Sequence, residues 1–234
     1  THTQSSAASD VYKRQLFKHL GSKPIFLIVV DNLRYDQWKI IESDISKIFN
    51  IKNDDPYLAI LPTTTEYSRN SLFSGLTPLE MSKKYPELWD NKSDGFNNKE
   101  FDFINKNLER HSLNIKHSYN KIISHSDGTK FSKKKSDLLK YDLNSIVFNF
   151  IDMMSHSSSE NMLFKNLAYD EKSFRSFTSS WFKNSPLNEL ITFLSEQDVK
   201  VFLTTDHGTV KVQNPIKIIA VSYTHLRAHE TSAD

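Results

Sequence analysis

Short apolar runs, each followed by polar residues, organise this chain. Ile25–Val30 is continuously apolar and rich in β-branched side chains, the pattern of a strand buried on both faces of a parallel sheet. Tyr57–Leu61, Ser145–Ile151 and Val199–Thr204 read as further strands. Leu113–Tyr119 alternates weakly, and Pro215–Ala220 is placed near an edge by its proline. Helical spacing covers Leu33–Ser43, Glu66–Ser74 (closed by Gly75), Glu100–His111, Tyr169–Lys183 and Leu187–Glu196, with a turn or two over Pro78–Lys84. Lys92–Asn98 reads as a loop, and Met153–Leu167 as irregular and partly helical. Strands alternating with helices predict an α/β fold, a three-layer αβα sandwich around a mostly parallel sheet.

Composition narrows the function. With 234 residues and a net charge of +2, the chain is of α/β-domain size and has no global field for nucleic acid or membrane. Any anion recognition must be local. Cysteine is absent, so thiolate metal sites and disulfides are excluded, which is compatible with the cytosol. No apolar run is long enough to span a bilayer. The tract Lys133-Lys134-Lys135 reads as a solvated face in preference to a phosphate-binding one. Both termini, Ser6–Gln15 and Val221–Glu230, resemble translated sequencing-adaptor sequence. Residues 1–15 and 221–234 are therefore expected to lie outside a domain at 16–220, and His225 and His229 are set aside as ligands.

The chemistry gathers where strands end. Asp31 follows Ile25–Val30, Asp152 follows Ile146–Ile151, and Asp206-His207 follows Val201–Thr205. In open α/β sheets, ligands bind beyond the carboxyl ends of the strands. Three carboxylates there, with His156 and His207, would suit a hard-to-borderline divalent metal. Asp152 and His156 stand four residues apart, a spacing that puts both on one face of a helical turn. Gly208 would permit a sharp turn after Asp206-His207. Thr65, in the run Pro62-Thr63-Thr64-Thr65, is expected at the N-cap of the Glu66–Ser74 helix, where free amides favour a phosphate. A threonine hydroxyl needs activation to act as a nucleophile, and a metal would supply it. Arg69, one turn further on, could reach a phosphate oxygen or be a surface residue.

The order of these pieces resembles the alkaline phosphatase superfamily: Asp31-Asn32 after a strand, Pro62-x-x-Thr65 with Gly75 beyond, Asp152-x-x-x-His156, then Thr205-Asp206-His207-Gly208. Within it the chain looks most like PglZ domains. Val30-Asp31-Asn32-Leu33-Arg34-Tyr35-Asp36-Gln37-Trp38, Leu61-Pro62-Thr63-Thr64-Thr65-Glu66-Tyr67-Ser68-Arg69-Asn70 and Phe73-Ser74-Gly75-Leu76 are similar to the effector half of PorX-type response regulators.

The resemblance implies a phosphohydrolase with two divalent ions, most simply zinc, and Thr65 as nucleophile. By the family pattern Asp31, Thr65, Asp206 and His207 hold one ion. Asp152 and His156 hold the other, with a further histidine that normally lies downstream. It also implies short or cyclic oligonucleotide phosphodiesters as substrates, and a receiver domain ahead of this one. A partner protein in secretion signalling and a homodimer of the intact protein belong to the same expectation. The competing readings are a phosphomonoesterase, sulfatase or phosphomutase of the superfamily, a protein-binding module with structural metals, and a plain α/β domain without a site.

Overall fold

The computed structural model describes residues 16–89, 98–160 and 170–210. Four strands, β1 (Ile25–Val30), β2 (His117–Ile122), β3 (Leu143–Phe148) and β4 (Lys200–Thr204), form one sheet in the order β2-β3-β1-β4. Every pairing is parallel, with Ile25 opposite Leu143 and Lys200, and Val29 opposite Val147 and Thr204. All four carboxyl ends therefore open on one rim.

β1 and β3 are central and wholly buried, which is why β1 is a continuous apolar run and β3 is mostly apolar, its buried Asn144 satisfied by Ser118 and the Leu138 carbonyl. Alternate side chains of β1 feed two cores. Ile25, Leu27 and Val29 pack with Leu72 and Phe73 of α2 (Thr65–Ser74), Met81 of α3 (Pro78–Lys84) and Phe103, Ile104 and Leu108 of α4 (Glu100–Arg110). Phe26, Ile28 and Val30 face α1 (Tyr35–Ile45), α5 (His125–Lys134), α6 (Phe150–Glu160), α7 (Glu171–Lys183) and α8 (Pro186–Ser195). The result is three layers. Each such side chain, fully buried, contributes roughly 1.5–3 kcal/mol of transfer free energy, so the two cores fix the sheet and leave its polar rim to other work. Among the described residues, no helix is long and apolar enough to cross a membrane.

Three expectations change, and one element appears that periodicity does not announce. Tyr57–Leu61 is not a strand: residues 51–60 are irregular, with Leu58 and Leu61 well exposed. Pro56 and Pro62 flank the run and offer no N–H for a ladder, and it is tied to the end of β4 by one side chain, Tyr57 Oη donating to the Thr205 carbonyl. β2 begins at His117 and not at Leu113. The polar tract from Ser124 is a helix, α5, started by a capping box in which Ser124 and Asp127 satisfy each other's backbone N–H. Its Phe131 is buried while Lys133 and Lys134 stay in solvent, and Gly128 lies against Pro186 of α8. Last, the strand before Asp152 stops at Phe148; Ile151 is buried as part of α6, and Asp152 stands in that helix's first turn. The Lys92–Asn98 loop falls almost wholly outside the described residues, as does the strand expected at Pro215–Ala220.

Candidate metal centre

Asp31 continues the line of β1, its amide still bonded to the Phe148 carbonyl at 2.9 Å, and its side chain is fully buried. The chain then reverses at Asn32, which takes the left-handed conformation (φ 61°). Asparagine tolerates that region better than most residues. The turn lets the Asn32 amide donate to Asp206 Oδ1 (3.2 Å) and the Leu33 amide donate to Thr205 Oγ1 (3.0 Å). The ends of β1 and β4 are thus stitched together by polar bonds. Gly208 plays no such part: it has no positive φ, and a Cβ there would meet Arg34 at ordinary contact distance.

Thr65 is the first residue of α2, and Thr64 before it is the N-cap. The Thr65 hydroxyl does not cap the helix. It lies 3.0 Å from His207 Nε2 and 3.4 Å from Asp31 Oδ1. His207 Nε2 is in turn 3.5 Å from Asp31 Oδ1. Asp31, Asp206 and His207, all buried, each place a ligand atom within 4.8 Å of the others.

Arg69 is the residue whose place the sequence misjudged. It is fully buried and turned away from solvent. Its Nε donates to Asp206 Oδ2 (2.9 Å), Nη2 pairs with Asp31 Oδ2, and Nη1 reaches Glu100 Oε1 (3.2 Å). Glu100, first residue of α4, also accepts from Lys121 Nζ (3.1 Å) and from the Tyr119 hydroxyl. Burial works against the guanidinium's charge, but the three carboxylates outweigh it and raise its pKa. Burial pushes the Asp206 carboxyl up, opposed by Arg69. Burial also works against a charged His207, yet Asp31 and Asp206 raise it to about 8.

The donor set fits a divalent cation. Thr65 Oγ1, Asp31 Oδ1 and His207 Nε2 form a triangle with sides of 3.0, 3.4 and 3.5 Å. Tetrahedral coordination at about 2.0 Å per ligand has edges of roughly 3.3 Å. Asp31 Oδ1, the oxygen not paired with Arg69, is the one that faces Thr65 and His207.

A family model described as the BREX system PglZ alkaline phosphatase-like domain matches residues 11–233. The chain belongs to the PglZ family. PglZ is an alkaline-phosphatase-like hydrolase domain, a fold that uses divalent metals, and the buried Asp31–Asp206–His207 group could bind one. The match reaches into both tails set aside above, residues 11–15 and 221–233, which lie outside the described residues. A comparison with curated proteins finds no match.

In this PglZ domain the remaining pair sits beside the cluster. Asp152 Oδ1 accepts from Asn32 Nδ2 (3.2 Å), and Asp152 Oδ2 lies 3.5 Å from His156 Nε2, one turn on in α6. Asp152 is mostly buried, whereas the His156 side chain is 70 % exposed. Asn32 thus bridges the two halves, touching Asp206 by its backbone and Asp152 by its side chain. Six candidates, Asp31, Thr65, Asp152, His156, Asp206 and His207, share one rim. Asn32 and Glu100 were not anticipated; only the Asp31-Asn32 dipeptide carried a signal, since Asn is a residue that enters left-handed turns.

Proposed function

We propose that this PglZ domain is a metal-dependent phosphodiesterase, acting on short or cyclic oligonucleotides with Thr65 as nucleophile. The observation that carries the reading is the Thr65 hydroxyl, aimed from the start of α2 into the angle between Asp31 and His207. Asp31, Asp206 and His207, with Thr65, would hold one divalent ion, and Asp152 with His156 would contribute to a second, for which the resemblance implies a further histidine. Bound there, such ions supply Lewis acidity, lowering the pKa of a hydroxyl and offsetting charge on phosphoryl and leaving oxygens.

The chain's own residues do the rest. Thr65 Oγ1 gives its proton to solvent water as it bonds to phosphorus. The bond to the leaving alkoxide breaks opposite it, and that oxygen takes a proton from solvent water. The free amides at the start of α2 lie beside Thr65 and favour a bound phosphate. Water then cleaves the phospho-threonine ester, restoring the hydroxyl. The motifs Asp31-Asn32 and Pro62-x-x-Thr65, read from the sequence as similar to those of PorX-type regulators, favour a diester substrate and a role as the output domain of a two-component regulator.

The test is Thr65→Ala assayed on bis-aryl phosphate, mono-aryl phosphate and aryl sulfate. Wild type should prefer the diester. The variant should lose at least about a thousandfold in turnover while keeping most of its metal. Undiminished hydrolysis would remove Thr65 from the mechanism, and preference for monoester or sulfate would reassign the substrate class.

A further inference from the structure

We propose that Arg69 is a positioning residue for metal uptake, holding Asp31 and Asp206 so that their other edges and His207 close on a divalent cation that Arg69 never touches. The inference rests on the reading that these residues hold a metal. Two buried carboxylates facing one pocket repel each other and need a fixed partner to stay aligned. Arg69 supplies it by taking one oxygen from each: Asp206 Oδ2 on Nε and Asp31 Oδ2 on Nη2. Asp31 Oδ1 is left pointing at Thr65 and His207. Asp206 Oδ1 is fixed from the other side by the amides of Asn32 and His207 at 3.2 and 2.9 Å.

The fork is itself anchored. Glu100 takes Nη1, and Lys121 and Tyr119 of β2 hold Glu100. One run of contacts therefore links a strand at the far edge of the sheet to the ligand carboxylates. Arg69 also lies one helical turn after Thr65 on α2, so the element that presents the hydroxyl presents the clamp. Arginine suits the task because its planar fork binds several oxygens in fixed directions, which an ammonium cannot do.

Charge and geometry make opposite forecasts. A positive group beside a cation site repels the cation, so by charge alone removing Arg69 should tighten metal binding. If it acts by alignment, removal should weaken binding, because partners that orient metal ligands are typically worth about 10–100-fold in affinity.

Zinc affinity of the chelator-stripped full chain, measured by competition with a chromophoric chelator, decides between them. Circular dichroism on each variant reports whether the fold is intact. Arg69→Gln should weaken zinc binding at least about tenfold. Arg69→Lys, which keeps the charge and loses the fork, should weaken it nearly as much, and Glu100→Gln by less. Equal or tighter binding in a folded Arg69→Gln protein would overturn the proposal, as would full recovery in Arg69→Lys. Should Arg69→Gln not fold, Arg69→Lys and Glu100→Gln decide, and wild-type affinity in both would overturn it. A wild type that takes up no zinc would instead sink the metal reading, and this inference with it.

Discussion

At the scale of single residues, Asn32 combines two tasks that can be separated. Its backbone takes a left-handed turn so that its amide meets Asp206, and its side chain donates to Asp152 and Ser155. Asn32→Gly keeps the turn and loses the side-chain bonds. Asn32→Ala loses the same bonds and adds left-handed strain of roughly 1–2 kcal/mol. Both variants should slow diester hydrolysis alike, because both release Asp152. Urea unfolding should find Asn32→Ala less stable than Asn32→Gly by about 1 kcal/mol. Equal stabilities would mean that the turn relaxes in the variant and that the φ of Asn32 is not enforced by its surroundings. Arg69 shows why such residues were hard to read in the sequence. Its position one turn after Thr65 was visible, but its three partners come from β1, α4 and the end of β4, and no local pattern announces them.

At the scale of elements, legibility followed how each segment obtains its partners. β1 is plain because burial on both faces writes an unbroken apolar run, and β3 is plain from its Ile146–Phe148 end, although Asn144 and Ser145 interrupt it. The Tyr57–Leu61 run carries the same kind of residues, but composition does not say whether a ladder is open to it, and two flanking prolines close that route. α5 was obscured for the reverse reason. Its stability comes from a capping box and one buried Phe131, not from an apolar stripe. Its packing on α8 is tight at Gly128, where an added Cβ would drive into the Pro186 ring, well inside van der Waals contact. Gly128→Ala should gain up to about 1 kcal/mol of helix propensity and lose about 1–3 kcal/mol to overpacking. Pro186 is a rigid ring at the start of α8, so the clash should win and the variant should unfold at lower denaturant. A more stable variant would show that the two helices can slide apart at no cost.

At the scale of the whole molecule, the parallel sheet converts residues distant in sequence into one site. Asp31, Thr65 and Asp206 stand at the ends of β1, the start of α2 and the end of β4, and only the folded state brings them together. A cation held by them therefore binds the native chain far better than the unfolded one, and its binding energy adds to stability. At a free zinc concentration about a hundred times the dissociation constant, the gain is about 2.7 kcal/mol. For a chain of this size each kcal/mol moves the melting temperature by about 2–4 °C, so zinc should raise it by roughly 5–10 °C over chelator-treated protein. His207→Ala should abolish most of that rise, since it removes the nitrogen that closes the triangle with Thr65 and Asp31. Substituting Lys133 and Lys134, which lie in solvent on α5, should leave it intact. The comparison needs no substrate, so it probes the metal reading apart from any question of diester or monoester. Melting curves that superimpose with and without zinc would mean that these donors, however well placed, do not grip an ion, and the hydrolytic reading would lose its support.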